Sequence, residues 1–426
     1  MPPALRTLPR DGWLLFASRF VRLFAYGSLS VVLVFYLIGI GLSEPQVGSL
    51  LTLTLVGDTI VSLYLTTRAD RIGRRRSLLV GAALMMAAGV VFASTNHIWL
   101  LLLAGTIGVI SPSGNEVGPF LPVEQAALAQ IAGDTTRTEV LAWYTLTGAF
   151  ATALGALAAG LIAGGLTTFV PTARYRVVVF FYAAMGAMLS ALFVSLSGAV
   201  EASNSGGGHK APVTSLLTAL TGLDRSRTVV AKLAALFTLD AFAGGFVIQS
   251  FAAYWFYLRF NVSPATLGSI FFWANVFAGL SALLASRLAS RFGLIKTMVG
   301  THVPSNILLI LVPLMPTLPL AVLVLLARFS ISQMDVPARQ SYLMAVVSPE
   351  ERAAAAGIAG VARTIGAAIS PLFVGFMFAR PALVNLPFFL AGTLKIAYDL
   401  LLYRAFVNVR PPEESVARGT QTSLDR

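Results

Sequence analysis

Cysteine is absent from all 426 residues, which excludes a disulfide framework and any thiolate metal site. Charge is nearly as scarce: 11% of residues are Asp, Glu, Lys or Arg, where a soluble globular domain carries roughly 25%. The three histidines, His97, His209 and His302, lie far apart and lack ligand spacing. No metal and no cofactor is therefore expected. Clustered His or Cys and paired catalytic carboxylates are also missing, which argues against an enzyme. No nucleotide-binding P-loop occurs, so any transport work must draw on a gradient rather than on ATP.

What is present is apolar. Hydrophobic residues make up 57% of the chain, and mean hydropathy is +0.80. Hydrophobic runs fall near 13–40, 46–67, 77–95, 98–131, 139–166, 175–197, 228–258, 265–288, 295–315, 317–347, 353–379 and 384–408. Each reaches or approaches the ~20 apolar residues that a bilayer requires. The first is too long for a signal-peptide core and has no small-residue cleavage pattern, so it reads as a span. The expectation is an all-α membrane protein of twelve transmembrane helices.

The net charge of +12 has a distribution that points to topology rather than to nucleic acid. With the N-terminus inside, inner segments hold 19 lysines and arginines, against four outside: Arg174, Arg176, Arg259 and Arg380. The positive-inside rule then places both termini in the cytoplasm. The composition, rich in Ala, Leu and Arg, fits a bacterial inner membrane.

The longest polar connection, 198–227, contains SNSGGGHK and reads as a flexible cytoplasmic linker. It separates a first six-helix bundle, 1–197, from a second, 228–426, which ends in a short cytoplasmic tail. The halves repeat each other. Pro122, Glu124, Gln125, Leu128 and Arg137 recur 215 residues on as Pro337, Arg339, Gln340, Leu343 and Arg352. ADRIGRRRSL at 69–78 likewise has a degenerate copy, ASRFGLIKTM, at 289–298. Duplication of a helical unit is how many secondary transporters are built.

TTRADRIGRRRSL (66–78) resembles the loop signature of the major facilitator superfamily between its second and third spans, except that Thr66 stands where that signature opens on glycine. The resemblance covers the whole chain and implies two pseudo-symmetric six-helix bundles rocking about a midplane site. It also implies that Asp70, Arg71, Gly73, Arg74 and Arg75 help to latch the halves on the cytoplasmic side, with Asp70 facing the N-terminus of span eleven. The alternative for these residues is a positive-inside anchor on anionic lipid.

A charged group at the bilayer centre costs about 2.5–3.5 kcal/mol on insertion scales, so each needs a partner or a wet cavity. Arg19 and Arg22 are three residues apart and share a face of span one with Tyr26. Asp240 holds almost the duplicated position of Arg22, and is expected either to pair with it or to compete for substrate. Asp58 in span two and Arg363 in span eleven are expected to form a buried pair between the halves. Glu124 and its duplicate Arg339 are a candidate cytoplasmic gate. Lys395 and Asp399, four apart, are expected to neutralise each other.

One stretch stands out. Residues 111–122 read SPSGNEVGPFLP within the fourth run. Broken backbone at membrane depth is tolerated only when buried in protein or lining a cavity. Glu116 there suits proton coupling or the binding of a cationic group; alternatively it caps backbone N–H groups freed by a kink. Span ten, RFSISQMDVPARQ (328–340), adds Arg328 and Asp335. Proton-coupled exporters of the family carry an arginine at the depth of Arg328, but in span four, where this chain has Ser113.

The leading reading is a monomeric secondary transporter coupling proton movement to the export of a small organic molecule across the lipid bilayer. The alternative is a carrier of organic anions held by Arg19, Arg22 and Arg328. A non-transporting receptor acting through the linker is a more distant third.

Overall fold

The computed structural model describes residues 3–6, 8–132, 136–166, 168–201, 223, 226–348 and 351–409. Most of the expected linker, and the tail after residue 409, lie outside these. Helices of ten or more residues are numbered in chain order. They are α1 (Arg10–Gly39), α2 (Glu44–Ile72), α3 (Arg74–Ser94), α4 (Ile98–Ile107) and α5 (Phe120–Ala132). Next come α6 (Arg137–Gly165), α7 (Pro171–Val194), α8 (Arg227–Gly245), α9 (Gln249–Phe260) and α10 (Pro264–Phe292). The last are α11 (Leu294–Leu311), α12 (Leu318–Phe329), α13 (Asp335–Val346), α14 (Arg352–Phe378) and α15 (Leu386–Phe406).

Among the described residues, ten helical stretches are long and apolar enough to cross a membrane; Ile98–Ile107 and Leu318–Phe329 are apolar but shorter. The protein is thus an all-α, membrane-spanning helical bundle. Local sequence explains the ends of the elements. At the start of α2 the Ser43 backbone N–H donates to Gln46 Oε1 at 2.9 Å, a capping box reinforced by Pro45 in the first turn. Gly73 ends α2 with φ +107°, a conformation L residues avoid, so α3 can begin at the next residue.

The fourth and tenth apolar runs are each divided: the sequence reading expects interrupted backbone in the first, at 111–122, but an unbroken run over 317–347. The first break follows from its prolines and glycines. The second is marked in sequence only by Pro337, which sits in the first turn of α13, where proline is tolerated. Both lower segments restart at duplicated positions, Phe120 and Asp335, 215 residues apart.

Two compact units divide the chain. Unit 1 is Met1–Val213, Ile248–Val276 and Pro371–Val384; unit 2 is Thr214–Val247, Phe277–Ser370 and Asn385–Arg426. In unit 1, α1 is the buried centre and packs on α6 and α7. The α1–α6 crossing is close because glycines face backbone carbonyls. A Cβ on Gly27 would lie 2.1 Å from Thr152 O, and one on Gly155 would lie 2.0 Å from Phe24 O.

Unit 1 also holds pieces from late in the chain. A Cβ on Gly160 would come 2.7 Å from Gly268 Cα, and one on Gly48 would come 2.5 Å from Pro371 O. Tyr254 OH donates to Glu44 Oε1 at 3.2 Å, and Gln249 Nε2 donates to Ser30 Oγ at 2.8 Å. In unit 2, α15 packs on α8 and α11, and α11 also packs on α13. Leu233, Phe237, Met298, Tyr342, Tyr398 and Leu402 fill that core.

Candidate functional site

The centre of unit 1 is a charged cluster on α1, the broken span four and α6. Arg19 Nη1 donates to Glu116 Oε2 at 2.7 Å, and Arg22 Nε donates to Glu116 Oε1 at 2.7 Å. Arg22 also grips Glu124, from Nη1 to Oε1 at 2.8 Å and from Nη2 to Oε2 at 2.6 Å. This two-point arrangement is the strong form of a guanidinium–carboxylate pair. Ser18 OH adds a donor to Glu124 Oε1 at 2.7 Å, and Tyr144 OH donates to Oε2. Arg22 and Glu124 are wholly buried, whereas the Glu116 side chain keeps 15% exposure. Arg19 and Arg22 also lie over the rings of Tyr144 and Phe120, at 4.7 and 4.6 Å. Two cations and two carboxylates balance, and Glu116 is the less enclosed of the two carboxylates.

Glu116 is not the cap of its own broken helix. Those freed backbone groups are satisfied from neighbouring elements, as membrane depth demands. The Gly118 N–H donates to Asp58 Oδ1 at 2.7 Å. Tyr26 OH donates to Val117 O at 3.2 Å, Tyr182 OH to Val109 O at 2.6 Å, and the Ser250 N–H to Pro112 O at 3.2 Å. Arg19, Arg22 and Tyr26 thus all turn toward span four, in keeping with their shared helix face.

Unit 2 has a counterpart with the signs exchanged. Asp240 on α8 accepts from Arg339 Nη1 at 2.7 Å, Arg363 Nη1 at 3.2 Å and Lys395 Nζ at 2.6 Å. Asp335, which opens α13, lies 3.4 Å from Arg339. In each unit, then, a first helix and a lower broken segment share one buried pair: Arg22–Glu124 and Asp240–Arg339. The residues expected to pair from different halves, namely Asp58 with Arg363, Arg22 with Asp240 and Glu124 with Arg339, each have partners inside their own unit. Lys395 turns to Asp240 rather than to Asp399, because the deeply buried Asp240 lies within direct reach. Arg328 closes α12 over the ring of Phe329 at 5.0 Å, and its Nε has no hydrogen-bond partner.

The loop signature ties unit 1 to the chain leaving α7. Asp70 Oδ1 accepts from Arg74 Nε at 2.8 Å, while Arg71 is exposed. Arg74 Nη1 donates to Gln130 Oε1 at 3.0 Å, and Arg75 Nε to Phe193 O at 3.1 Å. The Glu201 carboxylate accepts from the backbone N–H of Arg74 at 2.7 Å and of Arg75 at 3.2 Å, filling the N-terminus of α3. Gly73 serves by its positive φ and by leaving room, since a Cβ there would lie 3.3 Å from Glu201 Oε1.

The sequence reading passes over Ser18, Tyr144, His302 and Asn306. The last two carried a usable signal, being polar and four apart inside the ninth apolar run; nothing singles out Tyr144 among the tyrosines of the chain.

A family model described as Major Facilitator Superfamily matches residues 15–258 and 233–424. The Saccharomyces cerevisiae membrane protein YJR124C is 31% identical over 431 residues, covering 94% of this chain and 95% of that one. Among solved structures, the nucleoside transporter NupG superposes with a TM-score of 0.73 at 14% identity, over 93% of this chain and 99% of its own. A bacterial homologue of the human lysosomal transporter Spinster gives 0.67 at 16%, over 95% and 96%.

Proposed function

The chain belongs to the Major Facilitator Superfamily, and from that premise we propose that it is a proton-coupled exporter of a small organic molecule. Secondary transport of a small molecule by alternating access is the activity of that family, and enzymatic turnover is not. The observation that carries the finer reading is Glu116. It is a carboxylate on non-helical backbone, held by two arginines and still 15% exposed. A proton or a cationic substrate group arriving at Glu116 replaces the charge of Arg19, so the site alternates between self-paired and loaded states. The broken span supports this, because discontinuous helices near the midplane form the binding sites of many transporters.

The same proposal counts α4 with α5, and α12 with α13, as one broken crossing each. That completes twelve spans in two six-helix bundles, 1–197 and 228–426, with both termini cytoplasmic by the charge asymmetry. A bacterial inner membrane is proposed on composition, although a relative 31% identical comes from yeast. The packing of Tyr254 on Glu44 and of Gly48 beside Pro371 brings late-chain segments onto first-half helices at the side opposite the arginine-rich loops.

A second reading has its own observation: Arg19 Nε and Arg328 Nε are buried without acceptors, which favours an anionic substrate. Proteoliposomes containing a pH dye separate the two. They would be challenged with tetraphenylphosphonium, ethidium, benzoate and a phosphate ester, using the intact protein and Glu116→Gln. Proton movement driven by a cation and lost in Glu116→Gln is the expected outcome. Flux of the anions without proton movement, unchanged in Glu116→Gln, would replace the exporter reading with the anion carrier.

A further inference from the structure

Helix α11 brings two polar side chains to one carboxylate. His302 Nδ1 lies 2.8 Å from Asp399 Oδ1 on α15, and Asn306 Nδ2 donates to Oδ2 at 3.1 Å. Asp399 is 1% exposed. The neighbouring cations are committed elsewhere: Lys395, one turn away on α15, sits on Asp240 at 2.6 Å, together with Arg339 and Arg363. Among the described residues, the one basic group within ion-pair distance of Asp399 is therefore His302. A buried carboxylate with neutral donors alone is costly, whereas one facing an imidazolium is paired. A single proton, shared between imidazole and carboxylate, resolves the conflict.

We infer that His302 and Asp399 form a proton-binding dyad in unit 2, whose state is passed to Asp240. Uptake forms one N–H bond on the imidazole with a proton from water, and release returns it. Asn306 cannot change charge and fixes the carboxylate. The second ring nitrogen, Nε2, stands 3.9 Å from Asp240 Oδ1, beyond hydrogen-bond reach but a small displacement from it. A proton there competes with the cations already on Asp240. Arg363 has the longest of those contacts at 3.2 Å and a side chain 37% exposed, so it is the partner that yields.

The other groups around the imidazole leave this assignment intact. Helix α15 adds Tyr398, whose ring meets His302 edge-on at 6.0 Å and whose hydroxyl has no hydrogen-bond partner. Helix α13 contributes Arg339 and Asp335, which reach the dyad through Asp240, and α14 contributes Arg363. Helix α12 contributes Arg328, whose charge acts on Asp335. Histidine alone in this set has an ordinary titration range at physiological pH.

The dyad stands on geometry alone; its part in coupling rests on the proton-coupled reading above. Two measurements keep these apart. In the full chain labelled with 15N-histidine, three imidazoles give signals, and His302→Asn identifies one by its loss. Asn at this position keeps a donor toward Asp399 but cannot take a proton. The expected result is a change in the His302 signal as pH is swept from about 5 to 8, and an altered response in Asp399→Asn. A His302 that stays in one state throughout that range, and ignores Asp399→Asn, overturns the dyad. In proteoliposomes, His302→Asn is expected to lower proton movement per substrate at least tenfold. Wild-type proton flux retained in full by His302→Asn overturns the coupling role. An intact protein that moves substrate but no protons defeats the coupled reading while a titrating His302 still upholds the dyad.

Discussion

Glu124→Gln removes one charge from the most enclosed ion pair of unit 1 and changes almost nothing in shape. The carboxylate accepts four hydrogen bonds, from Ser18, from Tyr144 and twice from Arg22. An amide in its place turns one acceptor into a donor, which faces an Arg22 N–H or a hydroxyl that must turn away. Arg22, wholly buried, is left with Glu116 as its remaining carboxylate. Breaking a buried pair by removing one partner costs about 3–5 kcal/mol. At roughly 2–4 °C per kcal/mol for large domains, the apparent melting temperature in detergent falls by about 6–20 °C. Fluorescence-detected size exclusion after heating reads this directly. Tyr144→Phe, which loses one donor and no charge, should cost only about 1 kcal/mol. The double change Arg22→Met with Glu124→Leu removes the whole pair and should recover most of the loss, since apolar replacement of a buried pair is often neutral. A fall of under about 2 °C for Glu124→Gln would refute the idea that this pair holds α1 against span four.

Other substitutions test separate contacts. Asp58→Asn keeps an acceptor for the Gly118 N–H and should preserve folding, whereas Asp58→Ala orphans that group at about 1–3 kcal/mol; equal loss of thermal stability in both would show that charge, not capping, is what matters. Gly27→Ala forces a Cβ to within 2.1 Å of Thr152 O, so α1 and α6 must part, at about 1–3 kcal/mol in the same heating assay. Gly360→Ala meets nothing within 4 Å and should instead stabilise by about 0.5–1 kcal/mol. Glu201→Ala uncaps α3 and should cost about 0.5–2 kcal/mol, read as faster proteolysis of the 193–201 segment; unchanged cleavage would mean that Arg75 alone holds the strap.

The membrane class, the apolar runs and the repeat were legible because each is written in composition or period. The break in span four was legible for the same reason, since Pro112, Gly114, Gly118 and Pro119 cannot continue a helix. The break in span ten was not: SISQMD carries no comparable breaker, and the turn there is set by tertiary contacts such as the Gln333 N–H donating to Ser281 Oγ at 3.3 Å. The charged residues were legible as a set but not as pairs. Sequence can list the cations of the apolar runs and cannot say which of them Asp240 meets. Lys395 was assigned to Asp399 by the i, i+4 rule, which holds on an isolated helix; inside a bundle, Asp240 on another helix offered a partner at 2.6 Å. Asp58 shows the same limit, because the N–H it satisfies belongs to backbone sixty positions further on.

The exchange of signs between Arg22–Glu124 and Asp240–Arg339 follows from what each half must satisfy by itself. A buried charge left alone in an apolar medium is expensive, whichever sign it has, and neutrality within a half removes that cost at every stage of assembly. The duplicated positions fix where the pair stands, on a first helix and on the lower segment of a broken fourth one. They do not fix which position carries the cation, because the geometry of a guanidinium–carboxylate pair works in either direction. Polarity is therefore free to diverge while the pair is kept. What it changes is the environment left over. In unit 1 the spare charge near the pair is the carboxylate of Glu116, held by arginine. In unit 2 the spare charges are cations gathered on Asp240, with His302 and Asp399 beside them. Under the proton-coupled proposal, the first arrangement receives a cation or a proton at Glu116, and the second loses an arginine when a proton arrives. A chain whose halves were charged alike would have two copies of one device; inversion of one buried pair gives it two different ones on the same scaffold.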